Sequence, residues 1–208
     1  MSENKIYWNN IYKSITNQKP TYDLWLNKYK HILDKNKDTT IIDLGCGTGS
    51  DTLYLTERNY KVLSCDYSEE ALNIVKSHIP NSKTMQLDLR EKLPFKNESI
   101  SVIIADLSLH YFNNVTTKSI IKEIKRVLKA NGYLIGRVNS VNDINYGAQS
   151  GKEIEKHFYL TESGYKRFFD KEDIEYYFRE FEIKCCTEES MMRYGNEKIA
   201  WEFAVQKI

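Results

Sequence analysis

Short apolar runs alternate with stretches of helical period from about residue 39 onward, and the runs predict seven β-strands. Most of the first five strands are strongly apolar, as a sheet buried on both faces requires. The strands are expected at 39–44, 60–66, 83–87, 101–106, 132–138, 181–186 and 199–207. Such alternation is typical of a parallel sheet with crossover helices.

Helices are predicted between these strands by polar caps and by apolar residues at helical spacing. One is expected at 51–58 and another at 68–78, where Ser68 serves as the N-cap. A third helix carries an apolar stripe over 120–128 and is expected to end near Asn131 and Gly132. A fourth helix, near 171–179, precedes the last two strands.

A chain of 208 residues is long enough for one α/β domain with a sizeable buried core. Within this domain the sequence distinguishes four segments. Residues 1–37 carry aromatic side chains at roughly helical spacing and predict an N-terminal helical cap, and 38–138 hold the regular alternation. Residues 139–169 are aromatic with few strand signals, as in a lid or binding loop. Residues 170–208 complete the domain with a helix and two strands.

Charge and cysteine usage narrow the class of protein. Lys plus Arg number 30 against 29 Asp plus Glu, so no global field attracts nucleic acid or anionic lipid. The N-terminus lacks a secretory pattern, and no apolar run approaches the ~20 residues that span a bilayer. The four cysteines form no zinc-binding spacing. We therefore expect a cytoplasmic protein without a metal centre or membrane partner, while the oligomeric state stays open.

The most informative stretch lies between the first strand and its helix. Gly45, Gly47 and Gly49 remove every second side chain from this turn, which permits positive φ angles and close approach of a ligand to the backbone. A dinucleotide fingerprint would need its third glycine at position 50, where the chain has Ser50. A phosphate-binding loop would need a Lys there, and the acidic residue that follows would repel a pyrophosphate. A cofactor without phosphates fits better.

The run Asp43-Leu-Gly-Cys-Gly-Thr-Gly49 resembles the first motif of the class I S-adenosylmethionine-dependent methyltransferases. The resemblance is strong over 39–138 and weak in the flanks. It implies a Rossmann-like α/β fold whose seven-stranded, mostly parallel sheet has the order 3-2-1-4-5-7-6 with strand 7 antiparallel. Helices on both faces, an N-terminal helical lid and an acceptor-side insertion at 139–169 complete this layout. S-adenosyl-L-methionine is the implied cofactor and S-adenosyl-L-homocysteine the product.

The resemblance also assigns roles to single residues. It places Asp43 near the amino group of the cofactor, Asp66 at the ribose hydroxyls, and Tyr67 and Asp88 at the adenine. The interval from the glycine loop to Asp66 is independently close to that of a ribose-binding acid. The predicted cofactor-binding residues are Tyr7, Trp8, Tyr12, Asp43, Gly45, Cys46, Gly47, Gly49, Asp66, Tyr67, Asp88, Leu89, Asp106 and Leu107.

The run after the fourth strand resembles the family motif at the rim where cofactor and acceptor meet. His110 and Tyr111 are the catalytic candidates there, with His110 as a general base and Tyr111 as a pocket wall or hydrogen-bonding group. In-line methyl transfer needs mainly alignment and exclusion of water, so it requires no dedicated nucleophile. Candidates to line the acceptor pocket are His157, Tyr159, Tyr165 and Arg167.

The acceptor is expected to be a small molecule, because the chain lacks basic clustering, a nucleic-acid module and an Asn- or Asp-Pro-Pro-Tyr sequence. An RNA or peptide acceptor is an open alternative. A non-catalytic S-adenosylmethionine-binding regulatory protein is a second alternative, since such a protein would keep the cofactor site without an acceptor pocket. The glycine spacing disfavours a third reading, an NAD-dependent oxidoreductase.

Overall fold

A computed structural model describes residues 3–15, 18–193 and 195–208. Its α-helices are α1 (Glu3–Ser14), α2 (Lys30–Lys35), α3 (Ser50–Glu57), α4 (Glu69–His78), α5 (Asn114–Val127) and α6 (Lys171–Tyr177). Its strands are β1 (Thr40–Leu44), β2 (Lys61–Asp66), β3 (Lys83–Gln86), β4 (Ile100–Asp106), β5 (Leu128–Asn139), β6 (Lys152–Glu155), β7 (Phe158–Thr161), β8 (Gly164–Arg167), β9 (Phe181–Arg193) and β10 (Asn196–Lys207). Short 3₁₀ helices occupy Trp25–Tyr29 and Ile144–Tyr146.

Seven strands form one sheet in the order β3-β2-β1-β4-β5-β10-β9. Strands β1 to β5 are parallel, and β10 is antiparallel to both of its neighbours. Counted within this sheet alone, the order is 3-2-1-4-5-7-6, and the predicted Rossmann-like α/β class is confirmed. The layout differs from the expected one by a second sheet, β6-β7-β8, which the chain forms between β5 and β9.

Adjacent residues of the central strands pack into separate cores on the two faces of the sheet. In β1, Ile41 joins the core that contains α2 and α3, whereas Ile42 joins the core that contains α5 and α6. In β4, Ile104 and Ile103 divide in the same way. Because successive strand side chains point to opposite faces, a continuous apolar run is what a sheet covered on both sides needs.

The predicted end of the third helix is wrong by four residues. Helix α5 ends at Val127, and its C-cap Leu128 is extended, with φ −66° and ψ 137°. Asn131 does adopt a positive φ of 62°, but within β5, next to a register shift against β4. The Asn-Gly pair therefore makes an irregularity in a strand rather than a helix stop.

The expectation that 139–169 holds few strands is also wrong. Strands β6, β7 and β8 form an antiparallel sheet, called here the small sheet, in which Phe158 is the register partner of Arg167. The Phe158 and Tyr165 rings stack at 5.5 Å. Each strand has only four residues, too few for a clear alternation of apolar and polar positions. The small sheet is stabilised by hydrogen bonds between its strands, which the sequence of one short strand does not predict.

Two further observations concern the chain as a whole. Among the described residues, no helix combines the length and the apolar character needed to span a membrane. All four cysteines are free thiols.

Candidate active site

The C-terminal edge of the parallel strands opens into a cleft of about 1440 Å³. Its walls include Tyr12 of α1, the glycine loop after β1 and Tyr165 of the small sheet. Open α/β sheets bind ligands at this edge, and one small-molecule site typically occupies roughly 300–1,000 Å³. The cleft therefore has room for two small molecules side by side.

The glycine loop brings bare main chain to the cleft. Gly45 and Gly47 have φ values of +81° and +52°. A Cβ atom at Gly45 would lie 2.3 Å from Ser108 Cβ, and one at Gly47 would lie 3.2 Å from the Tyr12 hydroxyl. Gly49, also with positive φ, packs against Val75 of α4 and does not line the cleft. Two of the three predicted glycines, Gly45 and Gly47, thus line the cleft, and Gly49 allows close packing against α4.

Asp43 is buried near the end of β1 and accepts a hydrogen bond from helix α3. Thr52 Oγ1 donates to Asp43 Oδ2 at 2.6 Å and lies 2.7 Å from the Ser64 hydroxyl. Burial raises the pKa of the Asp43 carboxyl to about 7, although the Thr52 hydrogen bond opposes that rise. The carboxyl also lines the cleft, where it can meet a cationic ligand group.

Asp66 couples the glycine loop to the start of α4. Its two carboxylate oxygens accept the Gly47 and Ser68 N–H groups, each at 2.9 Å. Burial raises the pKa of Asp66, and these backbone hydrogen bonds partly offset the rise. Each oxygen keeps acceptor capacity for a ligand hydroxyl. The structure thus fixes the Asp66 carboxylate in place before any ligand arrives.

Three residues predicted at the adenine lie on the same edge of the cleft. Tyr67, Asp88 and Leu89 all line it. Arg90 Nε lies 2.9 Å from Asp88 Oδ1, and its backbone N–H donates to the same oxygen at 2.9 Å. The Asp88 carboxylate therefore already accepts hydrogen bonds from Arg90, which leaves fewer of its lone pairs for a ligand.

Helix α1 covers the glycine loop with an aromatic ladder. Trp8 stacks on Tyr12 at 5.6 Å and meets the Tyr111 ring edge-on at 5.8 Å. Tyr7 makes a second edge contact with Trp8 at 5.4 Å, and all four rings line the cleft. The Ser68 hydroxyl donates to Asn9 Oδ1 at 2.6 Å, which ties α1 to the start of α4. The helical cap predicted for the N-terminal segment is present as this cover.

Asp106, predicted close to the transferred group, is held in a buried ion pair. Arg137 Nε and Nη2 donate to the two Asp106 oxygens at 2.6 and 2.9 Å, and Arg137 Nη1 donates to Asp23 at 2.7 Å. Burial, the largest single effect, raises the pKa of Asp106. The charge and hydrogen bonds of Arg137, together with the charges of Arg193 and Lys198, outweigh burial, so the pKa lies below its ordinary value. Leu107, with φ +50°, follows and lines the cleft.

His110 is buried at 2% exposure and lines the cleft. Its Nδ1 has no hydrogen-bond partner within the described part of the chain. Burial lowers the pKa of His110 well below its ordinary value, and nearby Lys198 and Lys166 add to the effect. The imidazole is therefore neutral at physiological pH. Its ring centroid lies 4.3 Å from that of Tyr111, so the two catalytic candidates are in contact.

Comparison with known proteins agrees with this geometry. Residues 42–136 match the methyltransferase-domain family. Over 136 residues the chain is 32% identical to the putative methyltransferase YqeM of Bacillus subtilis, an alignment covering 62% of this chain and 53% of that protein. Over 121 residues it is 31% identical to demethylmenaquinone methyltransferase of Lactococcus lactis, covering 55% and 47%. The chain spans about half the length of the curated relatives it matches.

The fold is shared with solved methyltransferases. One from Methanosarcina mazei superimposes with a TM-score of 0.73 at 22% identity, over 89% of this chain and 99% of that one. The 1,6-didemethyltoxoflavin-N1-methyltransferase of Burkholderia thailandensis, with S-adenosylhomocysteine bound, gives 0.66 at 13% identity over 97% and 88%. Residues 42–136 of this chain thus match a methyltransferase domain, and the fold is that of solved S-adenosylmethionine-dependent methyltransferases. These similarities support the predicted enzyme class and cofactor.

Of the four residues predicted to line the acceptor pocket of the methyltransferase, only Tyr165 lines the cleft. Arg167 is 2% exposed and ion-paired to Glu155, because a buried guanidinium needs a counter-charge. His157 and Tyr159 line a separate pocket of about 240 Å³. His157, Tyr159 and Arg167 therefore do not line the cleft in which an acceptor was expected.

A second cluster outside the cleft has the chemistry of metal ligands. Atoms of His157, Asp170 and Asp173 lie within 4.8 Å of one another. The two carboxylates already accept each other's backbone N–H groups as the capping box of α6, and Lys156 Nζ lies 3.7 Å from Asp170. These bonds account for the cluster as a helix cap. The expectation of no metal centre stays a prediction.

Sequence reasoning missed several charged residues of the cleft, among them Asp51 and Arg137. Asp51, at the start of α3, is buried and accepts the Trp25 indole N–H at 2.9 Å. Arg137 stands inside the apolar run of β5, where it is the strand-register partner of Asp106. A lone arginine in a buried strand requires a partner, and that signal points to an acid on the neighbouring strand.

Proposed function

We propose that this methyltransferase transfers the methyl group of S-adenosylmethionine to a small-molecule acceptor by in-line displacement. One observation carries the proposal: the bare glycine loop and His110 face the same cleft, whose volume of about 1440 Å³ exceeds that of a single small-molecule site. A cofactor on the glycine loop leaves space for an acceptor beyond His110.

The described residues fit the parts of the cofactor. The glycine loop would take the methionine portion, with the Asp43 carboxylate at its amino group, and Asp66 would accept the ribose hydroxyls. Tyr67 and the Leu89 backbone would flank the adenine. This donor set is acidic and lacks a phosphate-binding helix end, since Asp51 occupies the first turn of α3. It suits a cationic cofactor without phosphates.

S-adenosylmethionine supplies a methyl group on a positively charged sulfur. The chain contributes alignment and exclusion of water, which are the main requirements of such a displacement. The rings of Trp8, Tyr12 and Tyr111 cover the cleft, and aromatic faces attract a sulfonium by cation–π interaction. Helix α1 would therefore shield the reacting centre.

His110 would contact the acceptor. A neutral imidazole with an unpartnered Nδ1 can accept the proton that a hydroxyl or amine acceptor releases, or orient that group by hydrogen bonding. The adjacent Tyr111 would form the wall between cofactor and acceptor. These roles are positioning and proton transfer, with no covalent intermediate on the protein.

Two of the compared proteins support a small-molecule acceptor. Their names give demethylmenaquinone and 1,6-didemethyltoxoflavin as the molecules they methylate. The four free cysteines support a further proposal, that the protein works in a reducing cytoplasm. Cell fractionation of the tagged protein tests that second point, and recovery outside the cytoplasm would refute it.

Titration calorimetry tests the proposal. S-adenosylmethionine and S-adenosylhomocysteine should bind at one site, with no heat from NAD. S-adenosylhomocysteine should then accumulate from S-adenosylmethionine when a metabolite extract is added, and not when RNA or peptide fractions are added. Preferential NAD binding would overturn the cofactor proposal. Turnover only with RNA or peptide, or with no fraction at all, would overturn the small-molecule acceptor.

A further inference from the structure

Three basic side chains from separate elements converge near His110. Lys166 lies on β8, Arg193 at the end of β9 and Lys198 near the start of β10, and we call them the cationic trio. All three line the cleft, and their charges help to lower the pKa of His110. In the main sheet, β9 and β10 lie on the opposite side of β4 from β1 and β2. The trio therefore belongs to the acceptor half of the cleft.

Within the cationic trio, the charge of Lys198 is paired with a carboxylate of the protein, that of Asp143. Its ammonium donates to Asp143 Oδ2 at 2.6 Å and to Asn139 Oδ1 at 2.7 Å. It also lies 4.4 Å from the centroid of the Tyr146 ring. Asp143, the acid that pairs with Lys198, is itself 1% exposed, so the pair is buried together.

Arg193 shares the Asp106 carboxylate with another arginine. Arg193 Nη1 lies 3.8 Å from Asp106 Oδ2, while Arg137 binds both Asp106 oxygens at 2.6 and 2.9 Å. One carboxylate thus faces two guanidinium groups. Asp23, the second acid bound to Arg137, has a side chain 47% exposed and contributes a screened charge.

Lys166 has the least compensation. Its ammonium donates to the Tyr146 carbonyl at 3.3 Å, and no carboxylate oxygen of the described residues lies within 4 Å of it. Burial lowers the pKa of Lys166, and the charge of Asp143, which is already paired with Lys198, opposes that effect only in part. Glu155, the other acid on this side of the cleft, is already bound to Arg167 and to the Asn114 N–H. A half-buried ammonium without a counter-ion is costly, and a bound anion would remove that cost.

We propose that the acceptor carries a carboxylate that binds between Lys166 and Arg193, with its reacting atom directed toward His110 and the sulfonium. The unpartnered Nδ1 of His110, on the same wall, adds a polar contact for the rest of the acceptor. The Tyr165 ring lines the same half of the cleft and suits a flat or apolar skeleton. This inference rests on the proposed function and specifies its substrate class.

Pairs of small molecules that differ only in charge test it. With the protein saturated with S-adenosylhomocysteine, 4-hydroxybenzoate is compared with 4-hydroxybenzamide, and indole-3-acetate with indole-3-acetamide, by saturation-transfer NMR titration. At least one acid should bind about tenfold more tightly than its amide, as a charge-assisted hydrogen bond to an ammonium predicts. If no acid is preferred, the inference is wrong.

Variants locate the effect. Lys166→Met should reduce the preference to less than about threefold, whereas Lys166→Arg, which keeps the charge, should retain most of it. Lys129→Met is the matched control, because Lys129 is exposed near the start of β5, at the opposite edge of the sheet. A preference that survives in Lys166→Met would refute the assigned site.

The same samples separate this inference from the proposed function. If Lys166→Met weakens S-adenosylhomocysteine rather than the acids, the trio binds the carboxylate of the cofactor and the inference fails. If the unaltered protein binds S-adenosylhomocysteine but prefers no acid, the inference fails and the methyltransferase proposal stands. If it binds no S-adenosylhomocysteine, the proposed function itself fails.

Discussion

The two halves of the cleft carry opposite charge. The cofactor half, at the ends of β1 and β2 and the start of α3, presents Asp43, Asp66 and Asp51, whereas the acceptor half presents the cationic trio. The acids are held by their own fold, because Thr52, Trp25 and backbone N–H groups already donate to them. In the acceptor half, Lys166 lacks a described counter-ion. The acids that would bind the cofactor thus have hydrogen-bond donors within the protein, whereas the ammonium of Lys166 is left to pair with an anionic ligand.

Replacement of Arg137 by leucine should have the largest effect, since this residue links the halves across β4 and β5. The change leaves Asp106 buried without its partner and should lower the free energy of unfolding by about 3–5 kcal/mol. Urea denaturation measures the loss. Arg137→Leu combined with Asp106→Asn should recover part of it, and Arg179→Leu, on the surface, should be near neutral. Unaltered stability of Arg137→Leu would show that the ion pair does not hold the halves together.

Gly45→Ala should disrupt the cofactor half. The new Cβ would lie 2.3 Å from Ser108 Cβ at a φ of +81°, so both overpacking and backbone strain apply, together about 2–4 kcal/mol of unfolding free energy. S-adenosylhomocysteine binding should be lost in calorimetry. Gly195→Ala is the control, because φ is +84° there but nothing lies within 4 Å of the Cβ. It should cost only about 1 kcal/mol. Equal effects at both sites would contradict close packing at Gly45.

Asp66→Asn should weaken S-adenosylhomocysteine binding by about 1–3 kcal/mol, because the ribose hydroxyls would lose a charged acceptor. The amide oxygen can keep one of the two bonds from Gly47 and Ser68, so the fold should persist. Calorimetry gives the affinity, and a thermal melt without ligand reports any separate loss of stability. Asp38→Asn, an exposed change outside the cleft, serves as control. Unchanged affinity would remove Asp66 from the site.

The affinity for S-adenosylhomocysteine should depend on pH through Asp43. Its pKa is raised to about 7, and only the ionised carboxylate attracts the charged amino group of the ligand. Protonation below pH 7 removes that attraction, so the dissociation constant should be about tenfold larger at pH 6 than at pH 8. Calorimetry across this range measures it. Asp43→Asn should flatten the profile, and an unchanged slope in that variant would assign the titration to another group.

The predicted fold was confirmed because its signals are local. The apolar runs of β1 and β4 and the glycine loop each lie within a few residues, whereas the strand order was predicted from the family resemblance. The small sheet was missed since its strands have four residues each and depend on pairing with one another. The helix stop at Asn131 was misread because a left-handed residue serves a strand irregularity as well as a helix end.

The sequence by itself determined the seven-stranded sheet, the turn stripped of side chains and the acids at the strand ends, since each follows from spacing along the chain. Only the tertiary structure decided which charges meet. Asp106 and Arg137 pair because adjacent strands set them in register. Lys166, Arg193 and Lys198 meet because β8 and β9 end, and β10 begins, at the same cleft. Ion pairs form between segments that are far apart in the chain, so the periodicity of the sequence does not predict them.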